Sequence, residues 1–572
     1  MSKDNKPSAV EGFKADSNYL RGEIAAELAD GNAFFGKGSI QLLKHHGTYQ
    51  QDNRDQRKAA RADGRGKAYS MMVRTKIPGG RLTADQLLAE LDLCDELGDT
   101  TLRVTTRQGL QLHGVVKGDL QHVIQRINQV QLSTLGACGD VNRNVMCCPA
   151  PYHNDPVHAE LQALADRLAD YFAPHTPAYH EIWLADGDGS EPQLVGGGCE
   201  EVEPIYGKLY MPRKFKMGIA LPGDNCIDAY SQDLGLLAVC RDFEIAGYNV
   251  LVGGGFGVTP SAEKTFPAVA KRMAYVPADR VRDVAEAVVK VQRDFGNRSD
   301  RKVARLKYLI ANWGIDKFKS KVEEYFGGPL DEPVAEEVWG YEDHLGWTDQ
   351  GDGRWFYGLN VENGRIKDEG SFRLKSALRE ICSQLAPRIR LTAHQSILFT
   401  DLAEGQRAGL EQILRTHGVP LLDQISAARR WSMACPAMPT CGLAVTESER
   451  VLPGIIDQLE RELAKLGLSD EVFTIRMTGC PNGCARPYNA DVGLVGKTLG
   501  KYTILVGGRR LGDRLNFIYK DVVPAEEVVL SLVPLLIYFK QDRQEAETFG
   551  DFCHRKGKED LEAWAAQRES RT

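Results

Sequence analysis

The chain has 572 residues, of which 42% are hydrophobic and 26% charged, and its formal net charge is −7. This composition is typical of globular proteins and excludes a largely disordered chain, and the length predicts three or four domains. The negative charge argues against nucleic-acid binding through an overall excess of positive charge.

The N-terminal 22 residues are polar and of mixed charge, without the apolar core of a secretory signal or the acid-poor composition of a transit peptide. The longest apolar run, residues 528–539, contains Pro534 and is well short of the roughly 20 residues that span a bilayer. We therefore expect a cytoplasmic protein without a membrane segment.

An internal duplication organises the chain. Residues 102–112 (LRVTTRQGLQL) match residues 389–399 (IRLTAHQSILF), and residues 146–150 (MCCPA) match residues 433–437 (MACPA), both at an offset of 287. A third pair, YNVLVGGG and YTILVGG, follows at an offset of 254. Because the blocks keep their order and nearly their spacing, the sequence predicts two halves that share a fold.

Each of the longer blocks alternates apolar and polar residues, as a half-buried strand does. A helical pattern precedes each block, at residues 83–97 and 374–385, and a further one covers residues 156–173. The charged tail after Cys553 is typical of a surface helix or a frayed end. Helices beside mostly antiparallel strands predict α+β domains, with boundaries near residues 65, 145, 340 and 425.

Thirteen cysteines in a chain with no predicted export signal favour metal or redox chemistry over a disulfide framework. Cys435 and Cys441 have a C-x5-C spacing, and Cys480 and Cys484 have a C-x3-C spacing. Four thiolates on two loops fit an iron–sulfur cluster, whereas structural zinc sites usually have C-x2-4-C spacings, so zinc is disfavoured but not excluded. We expect most of the remaining nine to be small buried hydrophobic residues: Cys94, Cys138, Cys147, Cys148, Cys199, Cys226, Cys240, Cys382 and Cys553.

At the TGCPNGC segment, residues 478–484, the sequence resembles the sulfite and nitrite reductase haemoprotein family. The resemblance covers nearly the whole chain. It includes SNYLRG from Ser17, HHGTYQQDNRD at 45–55, GDVNRNVMC at 139–147, MPRKFK at 211–216 and FGDF at 549–552. It implies an α+β fold with a pseudo-two-fold duplicated architecture.

With the boundaries above, the resemblance divides the chain into five segments. These are an N-terminal extension wrapping the core at 1–64, a first ferredoxin-like half at 65–145, a first sirohaem-binding domain at 146–339, a second ferredoxin-like half at 340–424, and a domain that binds sirohaem and a 4Fe-4S cluster, with the C-terminal tail, at 425–572.

The resemblance also implies the cofactors and the reaction. Cys435, Cys441, Cys480 and Cys484 would hold a 4Fe-4S cluster, and the Cys484 thiolate would bridge the cluster to the iron of sirohaem. The implied activity is the six-electron reduction of sulfite to sulfide in the assimilation of sulfate sulfur. A shared thiolate suits this reaction because it couples two centres that accept electrons one at a time.

Four basic residues match the positions that bind and protonate the anion in this family, namely Arg74, Arg143, Lys214 and Lys216. Cations around one anion gain Coulomb energy in a pocket of low dielectric and can pass protons to leaving oxygens. Alternation about Phe215 predicts that both lysine amines lie on one side of a strand.

The carboxylates of sirohaem need many donors and positive charges. The resemblance assigns this role to Arg103, Arg107, Gln111 and His113, with Asn144 as a further cofactor-binding residue. A period of two predicts that the first four lie on one face of one strand.

The glycine run at residues 253–257 (GGGFG) follows an apolar strand but lacks the third glycine of a dinucleotide fingerprint, since Val258 stands there. We expect it to be a turn against the cofactor or cluster, and we expect no NADPH site, so that electrons arrive from a partner. Residues 306–327 and 346–366 are more similar to ferredoxin-dependent sulfite reductases, which favours ferredoxin. Ferredoxins are acidic, so docking requires a local basic patch.

Three alternatives stay open. One is the haemoprotein beta subunit of an NADPH sulfite reductase, which takes electrons from a separate NADPH-dependent flavoprotein. Another is a sirohaem nitrite reductase, although the pair Lys214 and Lys216 favours sulfite. The third, from another class, is a non-catalytic scaffold with structural zinc or a bare cluster, which would leave the basic residues without a purpose.

Overall fold

The computed structural model describes residues 6–176, 179, 181–184, 193–197 and 201–569. Within these residues the strands form four five-stranded and two two-stranded sheets, with helices packed against them. Cys199 lies outside the described residues. The α+β class and the duplicated architecture are therefore confirmed. Among the described residues, no helix combines the length and the hydrophobicity of a membrane span.

The first 130 residues build one ferredoxin-like layer. Its helix at Ala84–Glu96, labelled α5, begins at a capping box. In this box Gln86 N donates to Thr83 Oγ1 (3.2 Å), and Thr83 N donates to Gln86 Oε1 (3.0 Å). The elements are α1 (Ala9–Ala15), α2 (Ile24–Ala29), α3 (Lys37–Leu43), β1 (Thr48–Asp52), α4 (Arg57–Ala62), β2 (Tyr69–Thr75), β3 (Arg81–Leu82), α5 (Ala84–Glu96), β4 (Leu102–Val104), β5 (Leu110–Val115) and α6 (Leu120–Gln129).

A mixed sheet with helices on its face follows. Its elements are β6 (Asn142–Met146), α7 (Pro156–Tyr171), β7 (Glu181–Leu184), β8 (Gln193–Gly197), β9 (Phe215–Ala220), β10 (Leu234–Arg241), β11 (Glu244–Val252), β12 (Lys271–Pro277), α8 (Val281–Phe295), α9 (Leu306–Trp313) and α10 (Ile315–Phe326). The predicted helix at 156–173 is confirmed as α7.

The second half repeats both layers. The second ferredoxin-like layer contains β13 (Gly346–Asp349), β14 (Arg354–Leu359), β15 (Arg365–Ile366), β16 (Asp368–Glu369), β17 (Phe372–Arg373), α11 (Leu374–Leu385), β18 (Arg388–Leu391), β19 (Ile397–Ala403) and α12 (Arg407–Thr416). After α13 (Ala427–Arg430) come β20 (Ser432–Ala434), α14 (Leu452–Leu466), β21 (Ile475–Thr478), β22 (Val492–Thr498), β23 (Lys501–Val506), β24 (Phe517–Pro524), α15 (Val528–Asp542) and α16 (Phe549–Glu569).

The two ferredoxin-like sheets exchange an edge strand. The first has the order β1-β2-β5-β4-β15 and the second β13-β14-β19-β18-β3, so that each sheet ends in a strand from the other half. Their apolar side chains form a single buried cluster that includes Leu91, Leu112, Leu378 and Phe399. The predicted helices before the two blocks are confirmed as α5 and α11.

The two mixed sheets have the same topology. Their orders are β12-β11-β10-β9-β6 and β24-β23-β22-β21-β20. In each, the last three strands are mutually parallel and the first two are joined to them by antiparallel pairing. The predicted boundaries near 65 and 145 both fall inside a sheet. Residue 65 lies between β1 and β2, which pair in the first ferredoxin-like sheet. Residue 145 lies in β6, which pairs with β9 in the first mixed sheet.

The repeated blocks are hairpins and not single strands, so this prediction was wrong. Residues 102–112 form β4, a turn and the start of β5, and residues 389–399 form β18, a turn and the start of β19. The turn reverses the chain at Gln108, whose φ is 51°, and Arg103 faces Gln111 across the two strands.

Candidate functional site

The four cysteines predicted as cluster ligands meet at one edge of the second mixed sheet. Cys435 follows β20, and Cys480 and Cys484 follow the neighbouring parallel strand β21. Parallel strands bring their carboxyl ends to the same edge, and the Cys435 N–H donates to Met477 O (3.2 Å) there. Cys435 and Cys480 are buried, Cys441 is half-buried and Cys484 is exposed.

The spacing of the thiols fits a cluster better than a single ion. In the part of the chain that the structure describes, no three of the four sulfurs all lie within 4.8 Å of one another, whereas sulfurs around one zinc ion at about 2.3 Å stand about 3.8 Å apart. Backbone and amide groups point at the sulfurs, since Gly479 N donates to Cys435 Sγ (3.4 Å) and Asn482 Nδ2 donates to Cys480 Sγ (3.5 Å). Such donors stabilise the sulfurs of iron–sulfur clusters.

The thiols also disfavour one another's ionisation. Burial raises the pKa of Cys435 and of Cys480 to about 12, and the nearby Cys484 adds to the shift in both. Iron bound to the thiolates would remove this repulsion.

Cys484 lies where the cysteines meet the basic residues. Cys484 is close enough to Lys214 to oppose in part the lowering of its pKa by burial. It also contributes, after Cys138 and Tyr49, to the raised pKa of Arg74. Its carbonyl accepts a hydrogen bond from Thr106 Oγ1 (3.1 Å) in the turn between β4 and β5. The exposed Cys484 therefore lies near both the other cysteines and the cationic residues.

The four basic residues predicted to bind the anion come from three strands. Arg74 lies on β2, Arg143 on β6, and Lys214 and Lys216 at the start of β9, which pairs with β6. Arg74 donates to Cys138 Sγ (2.9 Å). The lysines alternate about the buried Phe215, as predicted.

These cations are close enough to shift each other's pKa. Burial lowers the pKa of Lys214 to about 7, and Arg305 and Arg213 contribute to the shift. Burial and then Lys214 hold the pKa of Lys216 far below its usual value. Neither amine has a hydrogen-bonding or ion-pair partner among the described residues. Both lysines are half-buried, and a bound anion would stabilise the charged form of such unpartnered amines.

The residues predicted to surround sirohaem are all buried or half-buried, but they do not lie on one strand, so that detail was wrong. Arg103 is on β4, Arg107 in the turn, and Gln111 and His113 on β5. Asn144 joins them from β6, where its Nδ2 donates to Arg107 O (2.8 Å).

Several contacts fix this group. Arg103 donates to Ala434 O (2.8 Å) beside the cysteines and pairs with Glu449. Arg107 donates to Gln232 Oε1 (2.8 Å). With its amide oxygen turned toward β2, Gln111 accepts from Arg74 Nε (3.1 Å).

The group fits a ligand that carries several carboxylates. Burial and then Arg143 lower the pKa of Arg107 to about 9. Arg107 Nε, His113 Nε2 and Asn144 Oδ1 are buried without a hydrogen-bonding partner in the described structure. Arg107 Nε carries an N–H that needs an acceptor such as a carboxylate. Asn144 Oδ1 is itself an acceptor, and so is His113 Nε2, because His113 Nδ1 donates to Gln51 Oε1 (3.2 Å).

The glycine run after β11 lies against the second cysteine loop. Val258 N donates to Pro481 O (2.9 Å), and a side chain added at Gly483 would meet Phe256 (2.9 Å). The run is thus a turn packed on the cysteine site, as predicted.

Other cations lie beside Arg143 that were not predicted from the sequence. Lys44, Arg213 and Arg301 line a cavity of about 20 Å³ together with Arg143. Lys44 directly precedes the segment HHGTYQQDNRD, and Arg213 lies inside MPRKFK. These family-like segments were the signal that could have identified both residues. Arg486, two residues after Cys484, donates to Thr106 O (3.0 Å) and was also missed.

Comparisons with known proteins agree with this architecture. A family model described as the nitrite and sulphite reductase 4Fe-4S domain matches residues 138–330, and one described as the nitrite/sulfite reductase ferredoxin-like half domain matches residues 63–130 and 348–417. The sulfite reductase (ferredoxin) of Synechococcus elongatus is 45% identical over 96% of this chain and 90% of its own. The chain belongs to the nitrite and sulfite reductase family.

One further relative and one solved structure also match the chain. The sulfite reductase (NADPH) hemoprotein beta-component of Staphylococcus saprophyticus is 44% identical over 97% of this chain and 96% of its own. The structure of the NirA protein of Mycobacterium tuberculosis matches with a TM-score of 0.78 at 24% identity, over 97% of this chain and 98% of that one. At this identity the match supports the fold alone.

Proposed function

We propose that this chain is an assimilatory sulfite reductase, with sirohaem and a 4Fe-4S cluster as its cofactors. The observation that carries the proposal is the position of Cys484, which lies near three other cysteines and near the basic residues Lys214 and Lys216. The reaction takes up six electrons and seven protons and converts one sulfite ion into one hydrosulfide ion and three waters. The cytoplasmic location remains a prediction from the sequence.

Cys435, Cys441, Cys480 and Cys484 would hold the cluster, and Cys484 would be shared with the iron of sirohaem. When bound, the pair of cofactors supplies single electrons to a substrate held at the iron. Arg103, Arg107, Gln111, His113 and Asn144 would bind the carboxylates of sirohaem. The unpaired buried N–H of Arg107 Nε supports this role.

Arg74, Arg143, Lys214 and Lys216 would bind the sulfite dianion and orient its oxygens. A lysine whose pKa is about 7 holds and releases a proton near neutral pH, so Lys214 Nζ suits the delivery of protons to oxygens that leave as water. The positive charge that the group concentrates favours sulfite, the more highly charged anion, over nitrite.

Ferredoxin is the favoured electron donor, and an NADPH-dependent flavoprotein is the alternative, since relatives of both kinds are about equally similar. The loop that carries Cys441 reaches the surface at Leu443, which is 69% exposed. Arg54 donates its N–H to Pro439 O (3.2 Å) and its guanidinium to Ala444 O on the same loop. A local positive charge beside an exposed apolar residue fits an acidic donor.

Two measurements test the proposal. Sulfide formed from sulfite by the purified protein with reduced methyl viologen tests the activity, and absence of sulfide would contradict it. Reduced ferredoxin and an NADPH-dependent flavoprotein, compared at equal concentration, test the donor. A higher sulfite-dependent rate with ferredoxin is expected, and a higher rate with the flavoprotein would reverse the assignment.

A further inference from the structure

A second group of metal-ligating side chains shares no residue with the candidate site. Cys148, Asp224, Cys226 and His344 are all buried, and one ligand atom of each lies within 4.8 Å of the other three. It is the only group of three or more histidine, cysteine or acidic side chains this close together in the described ranges. These are the residue types that bind zinc in proteins.

The ligand atoms of the group lie close enough together for one ion and too close for a cluster. Cys148 Sγ lies 2.7 Å from Asp224 Oδ2 and 3.5 Å from His344 Nε2, and the imidazole Nε2 lies 2.9 Å from the same carboxylate oxygen. Ligands at about 2.0–2.3 Å from a tetrahedral zinc ion stand about 3.3–3.8 Å apart. One ion would therefore require these atoms to separate by about 1 Å or less, whereas a cluster would not fit.

Backbone groups hold two of the ligands in position. Asp224 Oδ1 accepts hydrogen bonds from the N–H groups of Cys226 (3.1 Å) and Glu342 (3.2 Å), which leaves Oδ2 directed at the group. The Ala150 N–H donates to Cys148 Sγ (3.5 Å). Outer contacts of this kind orient the ligands of protein metal sites.

The group occupies the place that the cluster ligands occupy in the other half. Strands β9 and β10 pair in the same register as β21 and β22, at a constant offset of 258 residues. At this offset Cys226 corresponds to Cys484, and at the offset of 287 Cys148 corresponds to Cys435. The family model described as a 4Fe-4S domain matches residues 138–330, which contain Cys148 and Cys226 but none of the four predicted cluster ligands.

The other two cluster thiols have no counterpart in the first half. Pro222 stands at the position of Cys480, and Asn154 stands at the position of Cys441. Asp224, from the loop between β9 and β10, and His344, from the segment that leads into the second half, lie there instead.

We propose that Cys148, Asp224, Cys226 and His344 bind one zinc ion. The ion would take the place of a second cluster, and it would join the first mixed sheet to the segment that begins the second half. Without an ion the same atoms would form a buried hydrogen-bonded network, in which the Cys148 thiol and the His344 imidazole both donate to Asp224. Metal analysis distinguishes the two states.

The first test uses the wild-type holoenzyme, dialysed against metal-free buffer without a chelator. Mass spectrometry of its metals should give close to one zinc per chain in addition to the iron of the loaded cofactors. Zinc-edge X-ray absorption should show two sulfurs at about 2.3 Å and two nitrogen or oxygen ligands at about 2.0–2.2 Å. Less than about one tenth of a zinc per chain with full iron content, or a zinc shell without sulfur, would overturn the proposal.

Two variants test the ligands, and a third is the control. Cys226→Ser and His344→Ala should each lower the zinc content at least about ten-fold in protein that keeps its iron. Cys94→Ser is matched, because the buried Cys94 thiol donates to Leu91 O (3.2 Å) and a hydroxyl keeps that bond; its zinc content should equal that of the wild type. Zinc retained in both ligand variants would overturn the proposal. If either variant fails to accumulate, the wild-type zinc count and absorption spectrum decide the question. Sulfite turnover enters none of these readouts, so their outcome is independent of the proposed function.

Discussion

Arg486 and Asp228 occupy equivalent positions in the two halves, and they bind each other. Arg486 Nε lies 2.5 Å from Asp228 Oδ2, and both residues have left-handed backbone conformations, with φ of 55° and 53°. Each directly precedes a short 3-10 helix, at Pro487–Asn489 and Ala229–Ser231. A buried ion pair therefore joins the two halves two residues from the predicted shared thiolate of Cys484.

We predict that Asp228→Asn destabilises the protein strongly. Asp228 is fully buried and also accepts from Arg476 (2.9 Å), so its loss leaves two buried guanidinium groups without their counter-charge. Breaking such a pair typically costs about 3–5 kcal/mol. Thermal unfolding measures the effect. Glu160→Gln, which breaks the exposed pair between Arg167 and Glu160, should change stability by no more than about 1 kcal/mol; equal effects of the two variants would contradict the prediction.

Cys484→Ser should abolish sulfite reduction and disturb both cofactors, because one thiolate is assigned to both. The measurements are iron content, the visible spectrum and turnover of the purified variant. Cys94→Ser serves as the control and should match the wild type in all three. An active Cys484→Ser protein with an unchanged spectrum would exclude the shared thiolate.

Lys214→Met should leave the visible spectrum intact and lower sulfite turnover by about 100-fold, which is typical when one preorganised charged donor is removed. Lys208→Met is a matched control, since Lys208 is exposed on the loop that precedes β9, and it should turn over at the wild-type rate. Loss of sirohaem absorption in the Lys214 variant would instead identify this lysine as a cofactor-binding residue.

The pH dependence of stability should change in Glu90→Gln. Burial raises the pKa of Glu90 from 4.5 to about 7; Thr75 Oγ1 donates to Oε1 (2.5 Å), while Oε2 has no partner in the described structure. Between pH 4.5 and 7 the folded protein keeps a proton that the unfolded chain has lost, so stability falls as pH rises across this window. The loss amounts to about 3 kcal/mol above pH 7.

Glutamine carries no such penalty. The melting temperature of Glu90→Gln minus that of the wild type should therefore increase as pH rises from about 5 to about 8. Parallel melting curves of the two proteins over this range would show that Glu90 does not titrate there.

The elements with strong local signals could be predicted from the sequence. Helices α5 and α11 followed from their amphipathic patterns, and the capping box of Thr83 and Gln86 reinforces the first of them. The turn inside residues 102–112 was missed, although Thr105 to Gly109 (TTRQG) contain no apolar residue and interrupt the alternation of the flanking strands. Gln108 reverses the chain there with a positive φ.

Sites assembled from distant segments were harder to predict. The spacing of Cys435, Cys441, Cys480 and Cys484 predicts a metal centre, because each pair is local in sequence. Cys148 and His344 are 196 residues apart and approach each other only through tertiary packing, so Cys148 was expected to be an ordinary buried residue. Lone arginines such as Arg486 carry no periodic signal, and only the fold reveals their partners.

The most direct test is the kinetic preference of the purified, coloured protein between sulfite and nitrite, with reduced methyl viologen as donor and both anions at equal concentration. We predict a higher kcat/KM for sulfite, with six viologen radicals consumed for each sulfide formed. A higher kcat/KM for nitrite, with ammonia as product, would contradict the assignment to sulfite while leaving the cofactor assignment in place.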